Sequence, residues 1–218
     1  MSAKAARRIV GACLVTAGVV CPAASLFAQE NDRVFGVLPN YSTVDGRPAD
    51  NDSTTTPKIS TRQSFRLASL SSFDPVIFPY VGLMTAFDGN RDANYGDRYM
   101  RAFADNSIGN FMTTAVVPSL TSQDPRYFRA GEGGVFRRIA YAASRSVVTL
   151  TRSGHAVFNI SEVGGNLAAA GLSNLYHDPA DRTIGGTASR WGLQVMGDTI
   201  SNELKEFWPD IHAKLRRH

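Results

Sequence analysis

Residues 153–176, SGHAVFNISEVGGNLAAAGLSNLY, constrain the fold more than any other stretch of the chain. Asn159 followed by Glu162 is a helix-start pattern, and the run after it is dense in Gly, Ala and Asn. In such a capping box the Asn side chain accepts from the first turn while the Glu reaches back to the cap N–H. Each glycine costs a helix about 1 kcal/mol against alanine. Gly164, Gly165 and Gly171 in one helix therefore call for a neighbouring backbone at close range, and Gly165/Ala169 and Ala168/Leu172 recur at helical spacing. A helix of this kind belongs at the centre of a bundle. Ser153-Gly154-His155 reads as the turn before the cap rather than as a nucleophile and base, because no third orienting residue accompanies them.

The chain opens with Lys4, Arg7 and Arg8, an apolar run over 9–20, Pro22, and then Leu26-Phe27-Ala28 before Gln29. That layout is a secretory signal peptide cut after Ala28. The run is shorter than the roughly 20 apolar residues of a membrane span. Cys13 and Cys21 both fall within the expected signal peptide, so the mature chain would have no cysteine for a disulfide, thiolate or metal. It keeps 20 basic and 19 acidic residues, so the basic character of the precursor belongs largely to the signal, and nucleic acid is not expected as a partner.

Residues 29–59 are polar and lack helical periodicity; they read as a flexible or extended segment, with FGVLPNY over 35–41 laid on the domain. A single all-α domain of about six helices is expected over 60–218. Ser60 with Gln63 opens a first helix and Asp74-Pro75 a second. The second, VIFPYVGLMTAF over 76–87, is too short to span a bilayer and reads as a buried helix. A long helix over 98–120 has Tyr99, Phe103, Ile108, Phe111, Ala115 and Val116 as its core and Pro118 as its bend or end. A helix over 135–149 carries Arg137, Arg138 and Arg145 on its polar side. After the central helix, another runs over 183–206 with Ile184, Trp191, Val195, Ile200 and Leu204 inward. Trp208-Pro209 breaks it before a terminal helix. No strand pattern of comparable strength is read.

The chain has no HExxH, phosphate loop, EF-hand loop, Gly-x-Ser-x-Gly elbow or paired Glu-x-x-His motif. His155, His177, His212 and His218 are scattered, so neither a metal nor a cofactor is expected. What remains is polar residues at i, i+4 spacing: Asn106 and Asn110; Glu162 and Asn166; and Arg190, Gln194, Asp198 and Asn202. These faces either bond helix to helix or converge on a polar pocket with Glu162, Arg190 and Asp198 as its charges. The structural reading is the favoured one, since satisfied polar networks also specify bundles.

FGVLPNY (35–41), QDPRYF (123–128), SGH…FN.SE..GN (153–166), SNLY (173–176) and SRW…EFWPDI (189–211) resemble a family of exported bacterial proteins of unknown function. The resemblance covers nearly the whole mature chain. It implies a bacterial cell-envelope protein, periplasmic or peripheral to the outer membrane, and carries no activity or catalytic residue. The expectation is a non-enzymatic envelope protein acting through protein or lipid contacts, with self-association as a further expectation. A small-molecule-binding protein or hydrolase with its site between helices is the alternative.

Overall fold

The computed structural model describes residues 41–46, 58–87 and 94–215. The expected signal peptide, and all of FGVLPNY except Tyr41, lie outside the described residues. The fold is mostly helical, with six helical bodies and only short strands. In chain order these are β1 (Thr43–Asp45), α1 (Thr61–Phe73), α2 (Ile77–Phe87), α3 (Tyr95–Phe111), a π-helical turn (Met112–Val116) and α4 (Val117–Thr121). Then come β2 (Gln123–Asp124), β3 (Tyr127–Arg129), α5 (Val135–Ser144), β4 (Val148–Thr151), β5 (Ala156–Phe158), α6 (Ile160–Ser173), a 3₁₀ turn (Pro179–Asp181) and α7 (Ile184–Leu215). The π turn joins α3 to α4 as one rod. That rod packs on α1 and α2 on one side and on α6 on the other; α6 then packs on α7, and α7 on α5. The glycine-rich helix is thus central, as its composition demands.

Gly165 shows why. A Cβ there would sit 3.2 Å from the Met112 carbonyl and 3.2 Å from the Thr113 Cα, which is backbone at the limit of contact. The widened π turn is the part of the rod that presses on α6, and it lies just before Pro118, whose missing N–H and bulky ring a regular helix cannot absorb. Gly171 meets nothing within 4 Å and Gly164 meets only the Ile160 side chain, so close packing explains one of the three glycines and not all of them.

Two boundaries differ from expectation. The helix expected over 135–149 stops at Ser144, because 148–151 pairs antiparallel with β2 and β5, with Val148 opposite Phe158 and Gln123 opposite Thr151. The β-branched run Val147-Val148-Thr149 followed by the Gly154 turn, at φ +89°, is a hairpin signal that helical periodicity masks. Ser153 and His155 sit in that turn, where the Ser153 and Thr151 hydroxyls are 2.8 Å apart and His155 is exposed. The last helix runs through Pro209. Proline removes the N–H that would bond the Lys205 carbonyl, and Arg138 Nη2 donates to the adjacent Glu206 carbonyl at 2.6 Å, holding the helix from outside.

The larger surprise is what the bundle buries. Among the described residues, half of its enclosed apolar residues are alanines, Ala68, Ala115, Ala142, Ala169 and Ala170, and the rest are Ile59, Ile77, Val81, Tyr127 and Phe128; Ser64, Ser72, Asn166, Ser173 and Glu206 are enclosed with them. Large apolar side chains face outward on every long helix: Phe73, Phe87, Met100, Phe136, Leu167, Leu193 and Ile200 among them. Expected core positions follow the same rule. Ala115 is buried, but Tyr99, Phe103, Ile108, Phe111 and Val116 are only half-buried, Ile200 is exposed, and Ile184 is 91 % exposed. The helix expected to be buried, α2, encloses Ile77, Val81 and Thr85 alone and exposes Phe78, Tyr80, Leu83, Met84 and Phe87.

Candidate functional site

The site is a polar seam between α6 and α7. Asn159 caps α6 by accepting from the Glu162 N–H at 2.9 Å. The return half of the box is missing, because the Asn159 N–H is already bonded to the Val147 carbonyl at 2.8 Å. Gln123, from β2, takes a second free donor of the same helix end: its Oε1 accepts from the Ser161 N–H at 2.8 Å and the Ser161 hydroxyl at 2.6 Å. Its amide donates to the Phe158 carbonyl at 2.6 Å. The small sheet therefore releases the Glu162 side chain from capping, and it turns into the bundle.

There Asn166, only 1 % exposed, joins two carboxyl groups. Its Nδ2 donates to Glu162 Oε1 at 2.9 Å and to Asp198 Oδ2 at 3.0 Å. Burial, and then the charge and hydrogen bond of Asp198, push the Glu162 carboxyl well above its ordinary range. Lys205 completes the group. Burial lowers its ammonium pKa, while Asp198 and Glu162 pull the other way, and its Nζ lies 3.3 Å from the Ser42 hydroxyl beside β1. Asn166 thus bridges two carboxyl groups, one from each helix. Gly109 of α3 closes the seam: a Cβ there would lie 3.6 Å from the Gln194 amide nitrogen and 3.8 Å from Asn166 Oδ1.

Glu162, Asn166, Gln194 and Asp198 are therefore brought together, as their spacing suggests. Arg190 is not with them. Its Nη2 donates to Asn174 Oδ1 at 2.6 Å and its Nη1 to the Asp181 carbonyl at 3.3 Å, at the far end of α6. Two turns of helix separate it from Asp198. Asn110 donates to Asn106 at 3.3 Å, so those two serve each other. The expected three-charge pocket is corrected to a seam whose cation is Lys205. Lys205 follows Asp198 by seven residues, two helical turns on the same face, and an i, i+7 reading finds it where i, i+4 alone passes to Asn202.

Two further clusters escape the sequence. Glu206 is fully buried and accepts four bonds: from Tyr127 Oη at 2.8 Å, Ala130 N at 3.0 Å, Gly131 N at 3.0 Å and Arg138 Nε at 2.8 Å. Burial alone raises its pKa; Arg138, Tyr127 and the two backbone donors outweigh this and hold it below the ordinary value. Arg138, expected on a solvated face, is buried and pairs with Asp210 as well. Near the end of α6, Asp105 accepts from the Tyr176 hydroxyl, and its other oxygen lies 2.9 Å from His177 Nε2. Arg101 clamps Asp178 with two bonds, one at 2.9 Å. Pairing across 68 residues or more leaves no local sequence pattern.

No protein-family model, curated protein or solved structure matches the chain. Among the described residues, no group of three His, Cys, Asp or Glu side chains stands close enough to hold a metal ion.

Proposed function

We propose that the protein is an exported, non-enzymatic helical component of the bacterial cell envelope that acts through contact with lipid. The carrying observation is the distribution of side chains: the enclosed residues are mostly alanine or polar, with Ile59, Ile77, Val81, Tyr127 and Phe128 among them, while large apolar side chains stand outward on every long helix. In water, large contiguous apolar surfaces are rare and mark contact sites. In lipid the apolar side chain gains nothing by turning inward, so small residues line helix contacts and polar groups pair within the bundle. A protein partner or second copy covers one patch, whereas here the apolar residues face outward from every long helix.

Among the described residues no single helix is long and apolar enough to cross a membrane, so the reading is attachment to lipid. Flotation of the chain with phospholipid vesicles, followed by a salt wash, tests it. Retention on the vesicles after the wash is expected; recovery only as a lipid-free monomer overturns it.

The alternative, small-molecule binding or hydrolysis, draws on the Glu162–Asn166–Asp198 arrangement, since paired carboxyl groups of unequal acidity suit acid–base work. Glu162→Gln and Asp198→Asn assayed against a substrate panel decide it: both abolish any hydrolysis found if the reading holds, and hydrolysis that survives both removes it.

A further inference from the structure

A second feature, an apolar surface, lies away from the seam. Between Arg66 and Asp88 the only charged residue is Asp74. Asp74 is buried and used: it accepts from Tyr41 Oη at 2.6 Å and from the Val76 N–H at 3.0 Å. The outward faces of this stretch carry Phe73, Phe78, Tyr80, Leu83, Met84 and Phe87. Its inward faces carry Ala68, Ser72, Ile77, Val81 and Thr85. The Thr85 hydroxyl is spent on the Val81 carbonyl at 2.8 Å. Tyr95 and Tyr99 of α3 donate to the Gly82 and Phe78 carbonyls at 2.8 and 3.3 Å. A Cβ on Gly82 would come within 3.3 Å of the Tyr95 hydroxyl, so glycine admits that bond. Helix α2 therefore turns no charged side chain outward and has its polar groups met from within, which is what a medium without water demands.

One end of the stretch is the opposite in character. Lys58, Arg62 and Arg66 are exposed, and none has a carboxylate partner among the described residues. Helices α1 and α2 form a pair bent by 55° that together match a membrane segment in length and composition. At 1.5 Å per residue α2 is roughly 16 Å long, about half the ~30 Å of a bilayer's hydrocarbon core.

We propose that α2, with the Phe73 end of α1, inserts into the acyl layer of one leaflet of an anionic phospholipid membrane, while Lys58, Arg62 and Arg66 hold the lipid phosphates. The inference rests on the lipid-contact reading and names the element and the lipid. Charge complementarity selects the occupant: a basic cluster followed by a charge-free apolar helix matches a headgroup layer above acyl chains, as in interfacial anchors. A second copy of the chain would offer its own basic cluster to this one.

The test compares vesicles of phosphatidylcholine with vesicles of phosphatidylcholine and phosphatidylglycerol. The wild-type chain is expected to float mainly with the anionic vesicles. Leu83→Asp with Phe87→Asp, both at exposed positions, is expected to lower the bound fraction at least tenfold. Arg62→Ala with Arg66→Ala is expected to remove most of the anionic preference, about fivefold per charge. A fluorophore on Phe87→Cys, in a chain with Cys13 and Cys21 replaced by serine, is expected to be quenched by brominated acyl chains more strongly than one on Ile184→Cys. Flotation of the wild type with quenching stronger at Ile184, or with no loss in the aspartate variant, overturns this inference and leaves lipid contact standing. Absence of wild-type flotation overturns both.

Discussion

Glu206, fully enclosed, and Glu162, half-buried, are two carboxyl groups gathered around α7, and they differ in nearly everything that matters. Glu206 has four donors, a guanidinium among them, and is held ionised. Glu162 has one amide donor shared with a second carboxyl group, and burial disfavours its charge. Burial pushes both pKa values upward, so burial alone does not decide which of them is ionised. The donor count does. A carboxylate that receives two bonds at each oxygen is a pin; one that must share a single amide with another acid is poised to change its proton.

The largest expected effect breaks the pin. Glu206→Ala leaves Arg138 buried beside lost backbone contacts and should cost about 3–5 kcal/mol in urea unfolding. Glu162→Ala costing as much would erase the distinction. Next is acid sensitivity. Because the folded-state pKa of Glu206 is lowered, its contribution is present above the ordinary glutamate value and is lost as pH falls through the lowered one. Thermal melts from pH 6 to pH 3 should therefore show a fall that is smaller in Glu206→Gln.

Glu162 has the opposite sign. Its pKa is raised, so ionising it costs stability at neutral pH, and the wild type gains as pH falls from the raised value toward the ordinary one. Glu162→Gln should be as stable as wild type or more so at pH 7, and should lose that gain on acidification; destabilisation at pH 7 would mean that Glu162 is ionised and paired. The smallest effect is expected at Arg190. Arg190→Leu removes its bonds to Asn174 and Asp181, costing about 1 kcal/mol. The acid response assigned to Glu162 should not move, and a shift in it would join the two regions that the structure separates.

The seam and the pin were unequally legible. Glu162, Asn166, Gln194 and Asp198 share helical spacing, and periodicity brings them to one face. Arg190 shares that spacing too, but α7 is long enough that its first turns meet Asn174 and its later turns meet Asn166. Lys205 stands at i, i+7 from Asp198, off the i, i+4 series, which leads to Asn202 instead. The pin joins Tyr127, Arg138 and Glu206 from a strand and two helices, so no one segment carries a trace of it.

By itself the sequence determined the helical class, the caps at Ser60 and Asn159, and the central place of the Gly165 helix, because propensity, capping and backbone clearance act within a few residues. It also set where apolar residues recur, but not which way they face. Only the tertiary structure decided that α2 turns Leu83 and Phe87 outward, that the β2–β4–β5 sheet takes the Asn159 N–H and so frees Glu162, and that Arg138 lies inside. Periodicity gives a helix one apolar and one polar face; which of them meets the neighbours is settled by packing, and here small and polar side chains let the helices approach where bulky ones would hold them apart.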